Sequence, residues 1–345
     1  MSGAAQRGAI DIAVVGATGA VGQVVVELLA EREFPVGALH LLASPDSAGK
    51  TVSFGGRHIR VRQLEGFDFS SVRLAFFAAG SDIAAHYAPL AAAAGCMVID
   101  KSSHFRLRPD VPLVVPEVNG HALAELGAGR LIASPNCSTI QLVVALKPLL
   151  DAFGLARINI ATYQSVSGAG RRGVEELAGQ SARLLNGQPA GPGTFPRQIA
   201  FNVVPQVETF GAGGYTTEEL KIVAESRRVL GIAGLPINPT CVRVPVFYGH
   251  SQAVHLETGV KASAAAARAV LAAAPGVRVL DDPANGDFPT AVGEAAGDDA
   301  VWVGRIREDL SHPMGLNLWV VSDNVRKGAA LNSVQIAEQL LTVLR

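Results

Sequence analysis

Cys137 stands in the run Ser134-Pro135-Asn136-Cys137-Ser138-Thr139, between a short apolar strand-like segment, Leu131-Ile132-Ala133, and a strongly apolar helical stretch, Ile140 to Leu150. A cysteine at a strand-to-helix junction meets backbone N–H groups and the positive end of a helix dipole. Both favour the thiolate, the nucleophilic form. Cysteine is also among the residue types most often buried and inert, but the polar neighbours of Cys137 argue against simple burial. His250 is the best candidate base. It lies in Tyr248-Gly249-His250-Ser251, a loop expected after a strand over Cys241 to Phe247, where an imidazole titrating near neutral pH can take and return a proton. His58, His121 and His312 read as solvated loop histidines. Arg243, on the same expected strand, offers a planar fork for a carboxylate or else a strand-surface ion pair.

Gln164 ends the strand-like run Ile160-Ala161-Thr162-Tyr163 and enters Ser165-Val166-Ser167-Gly168-Ala169-Gly170. Its amide can orient a carbonyl, and the Gly-rich turn allows a flat ring to approach closely. Glu218-Glu219-Leu220-Lys221 opens a helix, with Glu218 and Lys221 on one face, either as a solvated pair or as part of a site. Arg106, in Ser102-Ser103-His104-Phe105-Arg106, follows the fourth strand.

These groups need elements to position them. Ile10 to Val15 reads as a strand, and Gly16-Ala17-Thr18-Gly19-Ala20-Val21-Gly22 then leads into a helix over Ala20 to Glu31. Glycines at this spacing allow a tight turn or, in the first βα unit of a doubly wound sheet, the close approach of a dinucleotide pyrophosphate to a helix N-terminus. Further strands are expected at Leu39 to Ala43, Leu74 to Ala78 and Met97 to Asp100, with a helix over Ile83 to Ala94, which is the alternation of a parallel sheet. The second strand ends at Ala43-Ser44-Pro45-Asp46-Ser47-Ala48-Gly49-Lys50, where adenosine ribose is read. Ser44, Ser47 and Lys50 favour NADP, and Asp46 opposes it. After Cys137 the texture changes to longer Val/Ile/Thr-rich strands (Ile158 to Ser165, Cys241 to Phe247, Asn317 to Ser322) and a Gly/Pro-rich loop, Gly187 to Pro196. Leu331 to Leu344 reads as one amphipathic helix with Val334, Ala337, Leu340, Leu341 and Leu344 on its apolar face.

The chain has 345 residues, 49% apolar and 17% charged, with a net charge of −1 and three cysteines. That is enough for two domains with real cores. It shows no basic block for nucleic acid, no apolar run long enough to span a bilayer, and too few cysteines for a disulfide framework or a zinc cage. Met1 to Ile10 lacks the apolar core of a signal peptide, so a reducing cytoplasm is expected. A thiolate beside a nicotinamide cofactor points to aldehyde or acyl chemistry. Attack on an aldehyde gives a hemithioacetal, and hydride loss from that gives a thioester.

In order and spacing, Gly16–Gly22, 44–50, 102–106, 134–141, 164–170, 218–221, 243–250 and 323–338 together resemble the aspartate-semialdehyde dehydrogenase family over nearly the whole chain. The resemblance implies an α/β fold. Its Rossmann-type doubly wound parallel sheet would form an NADP-binding domain over 1–136, completed by 323–345, with an α+β catalytic and dimerisation domain over 137–322. It implies reversible, NADPH-dependent reductive dephosphorylation of L-aspartyl-4-phosphate to L-aspartate-4-semialdehyde, a step in lysine, threonine, methionine and diaminopimelate biosynthesis, by a cytoplasmic homodimer without a metal. By motif position, Cys137 is the nucleophile, His250 the acid/base, and Gln164 orients the acyl intermediate. Arg243 holds the substrate α-carboxylate with Glu218 nearby, while Arg106, Asn136 and Lys221 form the phosphate site. Thr18 to Val21, Ser167, Gly168 and Asn324 contact the cofactor.

Three departures from the family pattern stand out. Asp46 occupies a place where an arginine often faces the 2′-phosphate, which leaves NAD open as a cofactor. Lys101 and His104 replace an asparagine and a small residue. The rival N-acetyl-γ-glutamyl-phosphate reductase usually has glycine before its cysteine, where this chain has Asn136. Glyceraldehyde-3-phosphate dehydrogenase has a different cysteine setting. An inactive paralogue kept as a scaffold or regulator would typically have lost Cys137 or His250.

Overall fold

Ile10–Val15 (β1) is buried at all positions but Asp11, as a strand covered on both faces must be. The computed structural model describes residues 8–126, 129–191 and 193–344. They fall into two compact units, one running to Pro135 and resumed from Ala329, the other Asn136–Gly328.

In the first unit β1 leads into a helix at Ala20–Glu31 (α1), followed by Val36–Ala43 (β2), a hairpin of Thr51–Phe54 (β3) and Arg57–Arg60 (β4), and Arg62–Gln63 (β5). Leu74–Phe77 (β6), Ser81–Ala93 (α2), Met97–Asp100 (β7), Pro116–Asn119 (α3) and Leu131–Ala133 (β8) complete its N-terminal part. The main sheet is parallel in the order β5-β2-β1-β6-β7-β8. The chain therefore winds outward in both directions from β1. The carboxyl ends of β1 and β6 form the switch point where ligands of such sheets bind. Val25, Val26, Leu28 and Leu29 form the buried stripe of α1 against this sheet. The C-terminal segment packs into the same core through Val334, Ile336 and Ala337, and Asn332 Nδ2 donates to Val114 O and Ser134 Oγ. The expected single helix over Leu331 to Leu344 is interrupted. One helix covers Asn332–Gln339, and the N–H of Leu340 is shared between the carbonyls of Ile336 and Ala337 before a last turn at Leu341–Leu344. Shared bonds of this kind mark helix ends.

The second unit begins with Cys137–Phe153 (α4), Arg157–Gln164 (β9), Arg171–Leu185 (α5), Thr217–Leu230 (α6), Ile237–Arg243 (β10) and His250–Glu257 (β11). Ala264–Ala272 (α7), Val277–Val279 (β12), Val301–Glu308 (β13) and Gly315–Ser322 (β14) follow. The mixed sheet has the order β10-β9-β11-β14-β13-β12, with antiparallel pairs at its centre. Alternation along β9 buries Ile158, Ile160, Thr162 and Gln164 and leaves Asn159, Ala161 and Tyr163 half-exposed. Helix α4 packs on α6, α7 and this sheet.

Two expectations shift here. The strand expected over Cys241 to Phe247 ends at Arg243, because Pro245 has no N–H with which to continue a ladder. His250, expected in a loop, is the first residue of β11, paired with Ser322. Both fold components implied by the family resemblance are present: a doubly wound parallel sheet with helices, and a second, α+β unit.

Candidate active site

Asn136 caps α4, its Oδ1 accepting the Ser138 N–H at 2.8 Å, so Cys137 is the first residue of that helix. Cys137 is half-buried, whereas Cys96 and Cys241 are fully buried. Burial pushes the Cys96 thiol up to about 12 and the Cys241 thiol higher still, which makes both poor nucleophiles.

Helix α6 reaches Asn136 from the other side. A capping box between Thr216 and Glu219 starts it. Its buried stripe then runs Glu218, Ile222, Glu225, Val229, at intervals of four, three and four. Acids on a buried helix face need partners, and here the partner is the turn that carries Asn136 and Cys137. Glu225 Oε2 accepts the backbone N–H of Asn136 at 2.6 Å, and Glu218 Oε2 accepts Asn136 Nδ2 at 2.9 Å. Glu219, besides its cap, accepts the Cys241 N–H. Asn136 is thus held through its backbone and both ends of its side chain. Glu225 had no signal in the sequence; only a register count from Glu218 along α6 would have found it.

Gln164, the last residue of β9, is buried and donates from Nε2 to Ser138 Oγ at 2.9 Å and Glu218 Oε1 at 3.0 Å. Its amide nitrogen is therefore committed to protein, which fixes the direction of its carbonyl. Burial pushes the Glu218 carboxyl up, as does the nearby charge of Glu208, and the Gln164 hydrogen bond pulls it back down. Arg243 closes β10, is 6% exposed and donates from Nη1 to Ser165 O at 2.7 Å. Its burial pulls its proton affinity down, while Glu218 and Cys137 facing it act the other way. Asn136, Cys137, Gln164, Gly168, Glu218 and Arg243 line one cavity of about 470 Å³, together with Phe195 and Glu208. A Cβ on Gly168 would come within 2.9 Å of Arg243 Nη1 and 3.4 Å of His250 Nε2, so the turn approaches both groups only because it carries glycine there.

His250 is fully buried. Its Nδ1 accepts the backbone N–H of Ser165 at 3.1 Å and lies 3.0 Å from Ser165 Oγ. A backbone N–H can only donate, so the proton of the neutral ring is on Nε2. Nε2 is buried and has no hydrogen-bond partner among the described residues. Burial, and then the charge of Arg243, hold His250 well below its ordinary pKa. Ser167 and Asn324 belong to the network behind this ring. The hydroxyls of Ser165 and Ser167 both donate to Asn324 Oδ1, which also accepts the Gly249 N–H.

Lys221 is turned onto Glu208, with Nζ at 2.5 and 2.6 Å from the two carboxylate oxygens. Arg106 belongs to the first unit. There it is buried and donates to Ser134 O at 3.0 Å and Lys101 O at 2.8 Å. Lys101 donates to Pro135 O, and His104 is exposed.

The glycine loop fits a dinucleotide. Gly16 has φ +83° and a Cβ there would stand 2.7 Å from Ala78 O, while one on Gly22 would stand 2.1 Å from Gly16 O. The turn therefore admits only glycines at those places. Gly19 caps α1 with no side-chain hydrogen bond, which leaves the first-turn end of the helix open to a pyrophosphate. Thr18 lies in the loop itself, and Ala20 and Val21 open α1. Ser44 and Asp46 are exposed at the end of β2, and Lys50 Nζ lies 3.4 Å from Ser47 Oγ.

Residues 11–126 match the family model described as semialdehyde dehydrogenase, NAD binding domain, and residues 146–327 the one described as semialdehyde dehydrogenase, dimerisation domain. Aspartate-semialdehyde dehydrogenase of Shewanella sp. (strain DB6705) is 55% identical over 331 residues, covering 96% of this chain and 97% of that protein. The chain belongs to the aspartate-semialdehyde dehydrogenase family. A crystal structure of aspartate semialdehyde dehydrogenase II from Vibrio cholerae, complexed with ASA, matches with a TM-score of 0.95 at 54% identity, covering 97% of this chain and 98% of that one. Aspartate semialdehyde dehydrogenase with NADP from Candida albicans matches with a TM-score of 0.74 at 27% identity, over 96% and 98% of the two chains. The family, the fold class and the dinucleotide-binding character read from the sequence are borne out. These relatives are aspartate-semialdehyde dehydrogenases, a family of oxidoreductases, at more than half identity over nearly the whole chain, so the N-acetyl-γ-glutamyl-phosphate reductase and inactive-paralogue alternatives are not favoured.

Proposed function

We propose that this member of the aspartate-semialdehyde dehydrogenase family converts L-aspartyl-4-phosphate to L-aspartate-4-semialdehyde and phosphate. The observation that carries the reading is the convergence of Cys137, Gln164, Glu218 and Arg243 on one cavity, with the Nε2–H of His250 beside it.

Cys137 Sγ attacks the acyl carbon, the bond from that carbon to the phosphate oxygen breaks, and a thioester forms on Cys137. Reduced NADP, held by the Gly16 to Gly22 turn, would supply the hydride that takes the thioester to the hemithioacetal level. The alkoxide formed there accepts a hydrogen bond from His250 Nε2–H, a neutral donor in a water-poor setting where such bonds count most. Collapse of the alkoxide expels the Cys137 thiolate and releases the aldehyde. Arg243, whose fork suits a carboxylate, holds the α-carboxylate, and Glu218 faces the α-amino end. Gln164 positions the acyl group, and Asn136 and Lys221 receive the phosphate. Gly16 to Gly22, Thr18 to Val21 included, hold the pyrophosphate. Ser44 and Ser47 take the 2′-phosphate of NADP, with Asp46 keeping NAD as a second cofactor.

We place the protein in the cytoplasm, since among the described residues no helix is long and apolar enough to cross a membrane and the chemistry needs a free thiol. We read it as a homodimer joined through the second unit. Supplying aspartyl phosphate without reduced cofactor should leave an aspartyl adduct on the Cys137 peptide by mass spectrometry. No adduct, or one on Cys96 or Cys241, would overturn the assignment.

A further inference from the structure

We propose that Glu208 is a resident competitor for the anion site, a carboxylate that holds Lys221 until an incoming phosphate displaces it. The proposal rests on Lys221 receiving the phosphate, as argued above. Glu208 lies on the cavity wall that carries Cys137, Glu218 and Arg243, whereas Lys221 does not line that cavity. Both Glu208 oxygens engage Lys221 Nζ, and Oε2 also accepts the Thr217 hydroxyl at 2.7 Å, so the carboxylate straddles positions i and i+4 at the start of α6. The backbone at Glu208 is left-handed, with φ +64°. That conformation is uncommon for glutamate and persists only where surroundings impose it. The ion pair, the Thr217 hydroxyl and the Gln206 Nε2 bond to the Glu208 carbonyl all act on this residue. The Glu208 charge also reaches Glu218 and Arg243, raising the proton affinity of both. The ammonium that should meet the phosphate is therefore already neutralised, and the carboxylate that neutralises it faces the same cavity. An oxyanion that engages Lys221 from that cavity must break this pair, which lowers phosphate affinity and speeds phosphate departure after acyl transfer.

Titration calorimetry with inorganic phosphate on the wild type, Glu208→Gln, Glu208→Asn, Lys221→Met and the Glu208→Gln/Lys221→Met double variant tests this. Asparagine tolerates the left-handed backbone, so a folding defect in one Glu208 variant does not obscure the other. Both Glu208 variants should bind phosphate about three- to five-fold more tightly, the size expected of a partly exposed ion pair that need not be broken. Lys221→Met should bind it more weakly, and the gain from Glu208→Gln should vanish in that background. Unchanged or weaker binding in both Glu208 variants, with Lys221→Met weakened, overturns the competitor role alone. A gain that persists without Lys221 also overturns it. Unchanged binding in Lys221→Met overturns the phosphate role of Lys221 and the proposal with it.

Discussion

His250 shows how a residue's type can be legible while its chemistry is not. A histidine near a catalytic cysteine reads as an acid/base poised near neutrality, yet burial and Arg243 hold its pKa well below 6.5. The Ser165 N–H fixes its proton on Nε2. Burial therefore favours the neutral ring, which carries its one N–H at Nε2 and has a proton to donate there. The acid limb of kcat/KM should carry no histidine inflection near pH 6.5, and a clear inflection there would contradict this assignment. The same shift bears on stability. Between about 6.5 and the lowered folded value the unfolded chain binds more protons than the native one. Stability is thus full above that window and lost as pH falls through it. His250→Asn should flatten the acid-side fall of Tm, and an unaltered slope would exclude His250 as its source. Cys137 and Gln164 were readable because local chemistry marks them: a helix start after Asn136, and a strand end before a Gly-rich turn. Glu208 and Glu225 were not, since their partners lie 13 and 89 residues away in the chain and neither acid sits in a motif.

Helix α6 carries this difference at the scale of elements. From sequence, Glu218 and Lys221 share a face as a pair; in the fold Glu218 points into the buried stripe beside Glu225, and Lys221 turns outward to Glu208. Periodicity finds a helix, but an acid on its apolar stripe is recognised as buried only when the partner element is known. That partner is the start of α4, so Asn136 serves at once as cap and as link between the two helices. Asn136→Ala should lose a cap worth about 1 kcal/mol and lower Tm. Asn136→Asp keeps the cap but sets a carboxylate against Glu218 Oε2. It should retain more of the helix stability than the alanine variant does, while further raising the Glu218 carboxyl and impairing turnover more. Equal turnover in Asn136→Asp and the wild type would show that the Asn136–Glu218 bond has no part in the site. The strand boundary at Arg243 follows the same logic of local chemistry, because the run Val244-Pro245-Val246-Phe247 is apolar enough to read as strand until Pro245 is counted as a missing donor.

For the whole molecule, the parallel pairing of the first sheet followed from strand–helix alternation, and the terminal segment's return to that core followed from its apolar stripe, whereas the strand order did not. The hairpin at β3–β4 and the strand β13 were not anticipated, being short or rich in charge (Arg57 to Arg60, Arg305 to Glu308). The second sheet leaves one face only half-covered. Ala161, Ala253 and Trp319 lie in register across β9, β11 and β14, with Tyr163 5.4 Å from Trp319. A half-exposed Tyr163–Trp319 pair suits contact with a second copy, since aromatic residues are enriched at such contacts. Trp319→Glu should shift the protein from dimer to monomer by light scattering, with circular dichroism unchanged, and a folded variant that remains dimeric would remove this face from the interface.

The most direct measurement is spectrophotometric, with aspartate semialdehyde, inorganic phosphate, and NADP or NAD in parallel. Phosphate-dependent growth of the reduced-nicotinamide absorbance is expected, faster with NADP, and none from Cys137→Ala. Folded protein with a titratable Cys137 that gives no signal with either cofactor, or a signal indifferent to phosphate, would contradict the proposed reaction.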